Sequence, residues 1–232
     1  MKAERSKNSL ASEAYLTLRE RILRGSLPLG EAVSRRKIAA ELGMSMVPVG
    51  EALQRLELEG LLESRPRAGT RVKVPTEASV RGHYIVREAL EVQAARIFAI
   101  AATVQERSEL QRLAVRVDTL AAQTNGDRFL YLSLHEKLHR SIAEGTHCQE
   151  LCNAIEQNQV LASTWLCVPR PAATKPPPHR HQKLVDVLVK GKPESAEAAM
   201  RKHIQESLNH TLCRLEAHFQ TVEAIPISFA RK

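Results

Sequence analysis

At 232 residues, 43% of them hydrophobic, the chain is long enough and apolar enough to bury real cores, which excludes a wholly disordered protein and leaves room for two small domains. Aromatic residues make up only 3%, so those cores rest on Leu, Ile, Val and Ala, a composition that favours helices over sheets. The formal charge of +8 is uneven: the first 75 residues carry 14 Lys and Arg against 9 Asp and Glu, which concentrates basic charge where phosphate polyanions would be met.

No run of 18 uncharged apolar residues exists, so no transmembrane helix and no membrane partner are expected. The opening MKAERSKNSL is charged and has no apolar core before a cleavage site, so no signal peptide is expected and the cytoplasm is the expected location. Cys148, Cys152, Cys167 and Cys213 form no CxxC pair and fall on helical patterns. Reduced, packed thiols are expected.

In chain order, Asn8 or Ser9 can cap a first helix carrying Ala11, Ala14, Tyr15, Leu18, Ile22 and Leu23 at helical spacing. Gly25 and the Leu27-Pro28-Leu29-Gly30 turn end it. Ser34 can cap a short second helix with Ile38, Ala39 and Leu42 on one face, closed by Gly43. Ser45 then caps a third helix bearing Val49, Ala52, Leu53, Leu56 and Leu61, with Pro48 tolerated in the first turn. Two short helices around a tight glycine turn predict a helix-turn-helix over about residues 36–55. Beyond Gly60, Leu61-Leu62-Glu63 and Thr70-Arg71-Val72-Lys73-Val74 read as two short strands around the basic turn Arg65-Pro66-Arg67-Ala68-Gly69, a wing able to touch phosphates or the minor groove.

Val74-Pro75-Thr76 is the expected hinge between residues 1–75 and 76–225. Past it the pattern is helical, with helices expected near 77–101, 104–124, 127–145, 148–168, 180–190 and 193–220. PRPAATKPPP at 169–178 must break helix, and Gly191-Lys192-Pro193 makes a tight turn. The predicted fold class is mainly α: a winged helix-turn-helix followed by an all-α antiparallel bundle.

The nine histidines are informative because four lie on apolar stripes. His135 and His139, at i and i+4, share a stripe with Leu132, Leu138, Ile142 and Ala143. His181 leads one with Leu184, Val185 and Leu188. His203 shares one with Ala199, Met200 and Ser207. A buried imidazole needs a hydrogen-bond partner or a metal, and four on three helices point to a shared divalent ion. His179, two residues before His181, should face away from that stripe.

His135-Glu136-Lys137-Leu138-His139 also reads as HExxH, in which two histidines bind zinc and the glutamate activates water, so a zinc metallohydrolase is the alternative reading. Glu136 falls on the polar stripe with Ser133, Lys137 and Arg140, where an ion pair with Arg140 is the simpler role.

LRERILRGSLPLGE, RKIAAELGMSMVPVGEALQRLELEGLLE and RPRAGTRV, in this order and spacing, resemble the GntR family of winged-helix regulators over residues 13–74. The resemblance implies binding to double-stranded operator DNA by a homodimer, with Arg36, Ser45, Met46, Val47, Gly50, Arg65, Arg67 and Gly69 at the contacting positions. Relatives commonly have arginine, the usual bidentate reader of guanine, where this chain has Met46 and Gly50. REALEVQAARIFA, HEKLHRSIAE and HQKLVDVLVKGKPESAEAAMRKHI resemble the FCD-type sensor of the same regulators over about residues 80–212. That resemblance implies a metal site of one Asp and three His, which falls here on His135 (normally Asp), His139, His181 and His203, an all-imidazole set for which zinc or nickel is expected over harder ions. It also implies a small organic acid effector gripped by the metal and Arg87. The other reading of Arg87 is an ion pair with Glu91 at i+4.

Overall fold

The computed structural model describes residues 9–65, 69–123, 127–166 and 177–223, without the side chains of 159–164, 166 and 220–223. The chain divides into two compact units, Met1–Val74 and Pro75–Lys232.

In the first unit α1 (Leu10–Leu23) starts at Ser9, whose side chain accepts from Ser12 N–H. It buries Ala14, Tyr15, Leu18, Ile22 and Leu23, the stripe set by its spacing. After the turn, β1 (Ala32–Val33) leads into α2 (Arg35–Leu42), capped by the Ser34 side chain on Lys37 N–H. Gly43 ends α2 in the left-handed region, φ 63°, a conformation that costs glycine little. α3 (Met46–Leu58) follows, with Val49, Ala52, Leu53 and Leu56 buried. Ser45 stands at its N-cap but makes no side-chain capping bond, unlike the sequence expectation, and Leu61 is buried just past the helix rather than on it. Tyr15 Oη donates to both Glu59 carboxylate oxygens, at 2.8 and 3.0 Å, and Arg55 stacks over its ring, joining α1 to the end of α3.

The wing is β2 (Leu62–Arg65) and β3 (Gly69–Val72), antiparallel with Leu62 opposite Val72 and Arg65 opposite Gly69. The expected two-stranded hairpin is in fact part of a three-stranded sheet of order β1-β3-β2. β1 pairs Ala32 with Arg71 and Val33 with Thr70. Two residues are too few to show an alternating pattern, so propensity alone could not find this strand.

The second unit is helical throughout the described residues: α4 (Glu77–Ala101), α5 (Val104–Ala122), α6 (Arg128–Glu144), α7 (Gln149–Leu166), α8 (Arg180–Leu188) and α9 (Pro193–Glu223). Thr76 with Ser79, and Thr103 with Glu106, form reciprocal capping boxes that fix the starts of α4 and α5. α4 packs along α9, and their small residues Ala94, Ala95, Ala99 and Ala196 let Phe98, Met200 and Ile204 be fully buried. Arg107 ties the α4–α5 turn to the end of α8, donating to the carbonyls of Ala102, Ala99 and Val189 at 2.8–2.9 Å. Gly191, φ 74°, makes the α8–α9 turn, and Pro193 opens α9, where its missing N–H is harmless. Most of the Pro-rich break, like Cys167, lies outside the described residues. Cys148 and Cys152 are half-buried free thiols and Cys213 is exposed, so it is not packed as expected. No helix among the described residues is long and apolar enough to cross a membrane.

Candidate metal centre and nucleic-acid interface

Helical periodicity brings the four histidines to one place. On α6, i and i+4 side chains point the same way, and Leu132, Leu138, Ile142 and Ala143 carry His135 and His139 into the core. α8 is anchored by Leu184, Val185 and Leu188, which turns His181 inward. α9 returns antiparallel after the Gly191 turn and delivers His203 to the same level. One ligand nitrogen from each of the four lies within 4.8 Å of every other. The rings form a closed circuit: centroids are 4.7 Å apart for His135–His139, 5.1 Å for His135–His181, and 5.3 Å for His139–His203 and His181–His203.

All four are buried, and Nε2 of His139, His181 and His203 has no hydrogen-bond partner. Burying a polar nitrogen without a partner is costly unless something else satisfies it. Burial holds His135 and His203 well below the ordinary histidine range, and neighbouring cationic groups push the same way. Burial also lowers His181, against the opposing pull of Asp118. Neutral imidazoles with free lone pairs are what a divalent ion requires. Tetrahedral ligands at about 2.0–2.1 Å from one ion stand about 3.3 Å apart, so an ion would draw together nitrogens that lie within 4.8 Å of one another. The residues present therefore fit a divalent ion.

Two buried carboxylates flank the histidines, one of them hydrogen-bonded to a ring, and sequence spacing did not point to either. Asp118 on α5 accepts from His181 Nδ1 at 2.7 Å, which leaves Nε2 as the lone-pair nitrogen. The same carboxylate accepts the backbone N–H of His181 and of Gln182, capping α8. Burial pushes Asp118 up, but these bonds outweigh it and hold the carboxyl below its usual range. Glu91 on α4 lies 2.7 Å from His139 Nδ1, with the ring turned off the line of a straight hydrogen bond. Asp118→Asn is expected to weaken zinc binding about 10–100-fold, the usual effect of losing such an orienting partner. A chelator competition titration measures it; an unchanged affinity would make Asp118 a helix cap only.

Arg87 is 2% exposed and donates from Nε to Glu91 Oε1 at 2.7 Å, so the i+4 ion pair is present. Its Nη1 is buried without a partner. Burial alone would depress the guanidinium and raise Glu91, yet their mutual attraction wins in both cases, raising Arg87 and holding Glu91 well below the carboxylate range. Arg180, the first residue of α8, donates from Nη2 to the His203 carbonyl at 2.7 Å and keeps a buried Nε that makes no hydrogen bond and lies 3.7 Å from Glu206. Periodicity does not mark it either, since it stands at the start of α8 and on no apolar stripe.

His179 is exposed and left-handed at φ 55°, with Nδ1 2.9 Å from Gln182 Nε2, outside the circuit. Glu136 is half-buried and is not one of the groups whose ligand atoms gather; Arg140 pairs with Glu144 at 3.5 Å.

In the first unit, Arg36 on α2 and Ser45, Met46 and Val47 at the start of α3 are exposed, with Met46 48% and Val47 69% so. Gly50 lies one turn further along α3. Arg65 ends β2 and reaches Glu63 at 3.3 Å, and Gly69, φ 76°, begins β3. Arg67 lies outside the described residues.

Comparison with known proteins gives two family matches: "Bacterial regulatory proteins, gntR family" over residues 10–72, and "FCD domain" over residues 83–206. The chain is 32% identical, over 89% of its own length and 90% of the relative's, to a Paenarthrobacter nicotinovorans protein named "Probable D-xylose utilization operon transcriptional repressor". Among solved structures it resembles E. coli McbR/YncC, with a TM-score of 0.72 at 22% identity, covering 92% of this chain and 100% of that one. It also resembles a GntR transcriptional regulator from Rhodococcus sp. RHA1, with a TM-score of 0.73 at 21% identity, covering 87% and 97%.

Proposed function

The chain belongs to the gntR family of bacterial regulatory proteins and carries an FCD domain; from that membership we propose an effector-gated repressor or activator in which a small organic acid, bound at the four-histidine centre, modulates operator affinity. In this reading residues 1–75 bind operator DNA and residues 76–225 sense the effector and dimerise. His135, His139, His181 and His203 hold a divalent ion, zinc or nickel, and Arg87 faces the acid. The ion would supply a Lewis-acidic anchor for a carboxylate. The observation that carries the reading is the convergence of four buried histidines with three Nε2 atoms left unpartnered.

The four histidines and Asp118 reach the site from α5, α6, α8 and α9, so a ligand fixed there constrains several helices at once. An acid that binds one dimer arrangement better than another shifts the population, and with it the spacing of two recognition helices on a pseudo-palindrome. Arg36, Ser45, Met46, Val47, Gly50, Arg65, Arg67 and Gly69 form the proposed DNA face.

The test is fluorescence anisotropy of the full chain on its own promoter duplex at several salt concentrations. Arg36→Ala and Arg67→Ala should each weaken binding on all sequences and reduce the salt slope by about 1. No duplex binding at low salt would sink the reading.

The metallohydrolase alternative turns on Glu136. Glu136→Gln should leave zinc content and DNA response unchanged. A hydrolytic activity of the native chain that disappears in this variant would favour the enzyme instead.

A further inference from the structure

We infer that the four-histidine centre is built for a doubly charged acid, contacted by two guanidinium groups, Arg87 and Arg180; this rests on the effector reading above. Four imidazoles bring no anion to a divalent ion. Of the two arginines whose charge acts on His135, Arg87 is paired with Glu91 at 2.7 Å, and the charge of Arg180 is formally offset by the Asp118 carboxylate, which is bonded to His181 rather than to Arg180 itself. Glu206 is 3.7 Å from Arg180 Nε, beyond hydrogen-bond length, and is exposed enough for water to screen it. The charge of the ion is therefore left uncompensated in a buried site, and a dianion restores neutrality. The donors for its second charged group are present. Arg87 Nη1 and Arg180 Nε are both buried without a hydrogen bond, on α4 and α8. His135 stands where the family resemblance implies aspartate, and that exchange is what raises the demand from one negative charge to two.

The experiment is isothermal titration of the Zn²⁺-loaded full chain with malate and with lactate, 2-hydroxy acids that differ by one carboxylate. Galactarate and gluconate repeat the comparison for longer chains. The dianion should bind about tenfold or more tighter in at least one pair, as a charge-assisted bond predicts. Arg180→Ala should bring that ratio toward one with little change for the monoanion. His135→Asp, which adds an anion without touching Arg180, should lower the ratio independently. Equal affinities in the native chain, or a ratio unmoved by both variants, overturn the inference and leave the acid-effector reading standing. If none of the four acids binds, that reading falls and the inference with it.

A different observation, on α3, carries a second proposal. Gly50 has ordinary helical backbone in a helix interior, where glycine costs about 1 kcal/mol relative to alanine. A Cβ at this position would stand 2.9 Å from Arg35 Nη1 and 3.4 Å from Arg35 Cδ. Glycine is what allows the Arg35 guanidinium to lie across α3. Arg35 is exposed and makes no ion pair or hydrogen bond among the described residues. We propose that Arg35, reaching over from α2, supplies the base-reading guanidinium that the recognition helix itself lacks. The test is binding of the full chain to its own promoter duplex and to a scrambled duplex. Arg35→Ala should lower the preference for promoter about tenfold or more, and Arg35→Lys should not preserve it, because lysine lacks the bidentate fork. The double variant Arg35→Ala/Gly50→Arg, which returns arginine from the other helix, should recover part of the preference. Equal weakening on both duplexes would make Arg35 a phosphate contact, and no weakening would make it a bystander; either result overturns the proposal.

Discussion

Replacing Arg87 by alanine is expected to destabilise the helical unit by about 3–5 kcal/mol, the cost of leaving a buried charge without its partner. Arg87 and Glu91 are 2% and 3% exposed, so little water is available to take over from the guanidinium. The remaining neighbour of Glu91 is His139, a weaker partner when neutral. Removing both charges tells a different story. Arg87→Met/Glu91→Leu should lie within about 1–2 kcal/mol of the native chain, since well-packed apolar pairs often equal a buried ion pair. Urea denaturation of the metal-free single and double variants measures both. A deficit below about 1 kcal/mol in Arg87→Ala would mean the pair is screened as a surface pair is. The comparison also bears on effector binding: a lost response in Arg87→Ala is informative about contact with the acid only alongside the double variant, because the single change disturbs Glu91 and through it His139.

The parts of the site that were legible are those whose information is local. His135 and His139 share a helix face with four apolar residues, and His181 and His203 each lead or share one, so periodicity alone turns all four inward. Their meeting point follows from the short α8–α9 hairpin. The orienting carboxylates are tied across long separations, 63 residues from Asp118 to His181 and 48 from Glu91 to His139, and no spacing rule links such pairs. A signal did exist. Asp118 lies on the buried stripe of Leu110, Ala114 and Val117, and Glu91 on that of Tyr84, Arg87, Ala94 and Ala95. A carboxylate on an apolar stripe demands a partner as surely as a histidine does. The same reasoning explains β1 and Arg35: a two-residue strand and a side chain lying over a neighbouring helix are set by tertiary packing, which local propensity does not encode.

Removing a histidine should have the largest effect on metal binding. His139→Ala and His203→Ala are each expected to lower zinc affinity by more than about 100-fold, beyond the upper end seen when only an orienting partner is lost. Both residues are buried with Nε2 unpartnered, and they approach from different helices, α6 and α9, so loss of either opens the circuit of rings. Neither residue belongs to the unit Met1–Val74. Duplex binding without effector should therefore stay within about threefold of native, while the response to an acid is lost. Elemental analysis of the purified variants reads the first outcome and anisotropy with and without acid the second. His179→Ala is the internal control, an exposed histidine close in sequence but outside the circuit, and should change neither. Full zinc content in both His139→Ala and His203→Ala would show that the four rings do not share an ion, and the buried nitrogens would then need another partner to explain their cost.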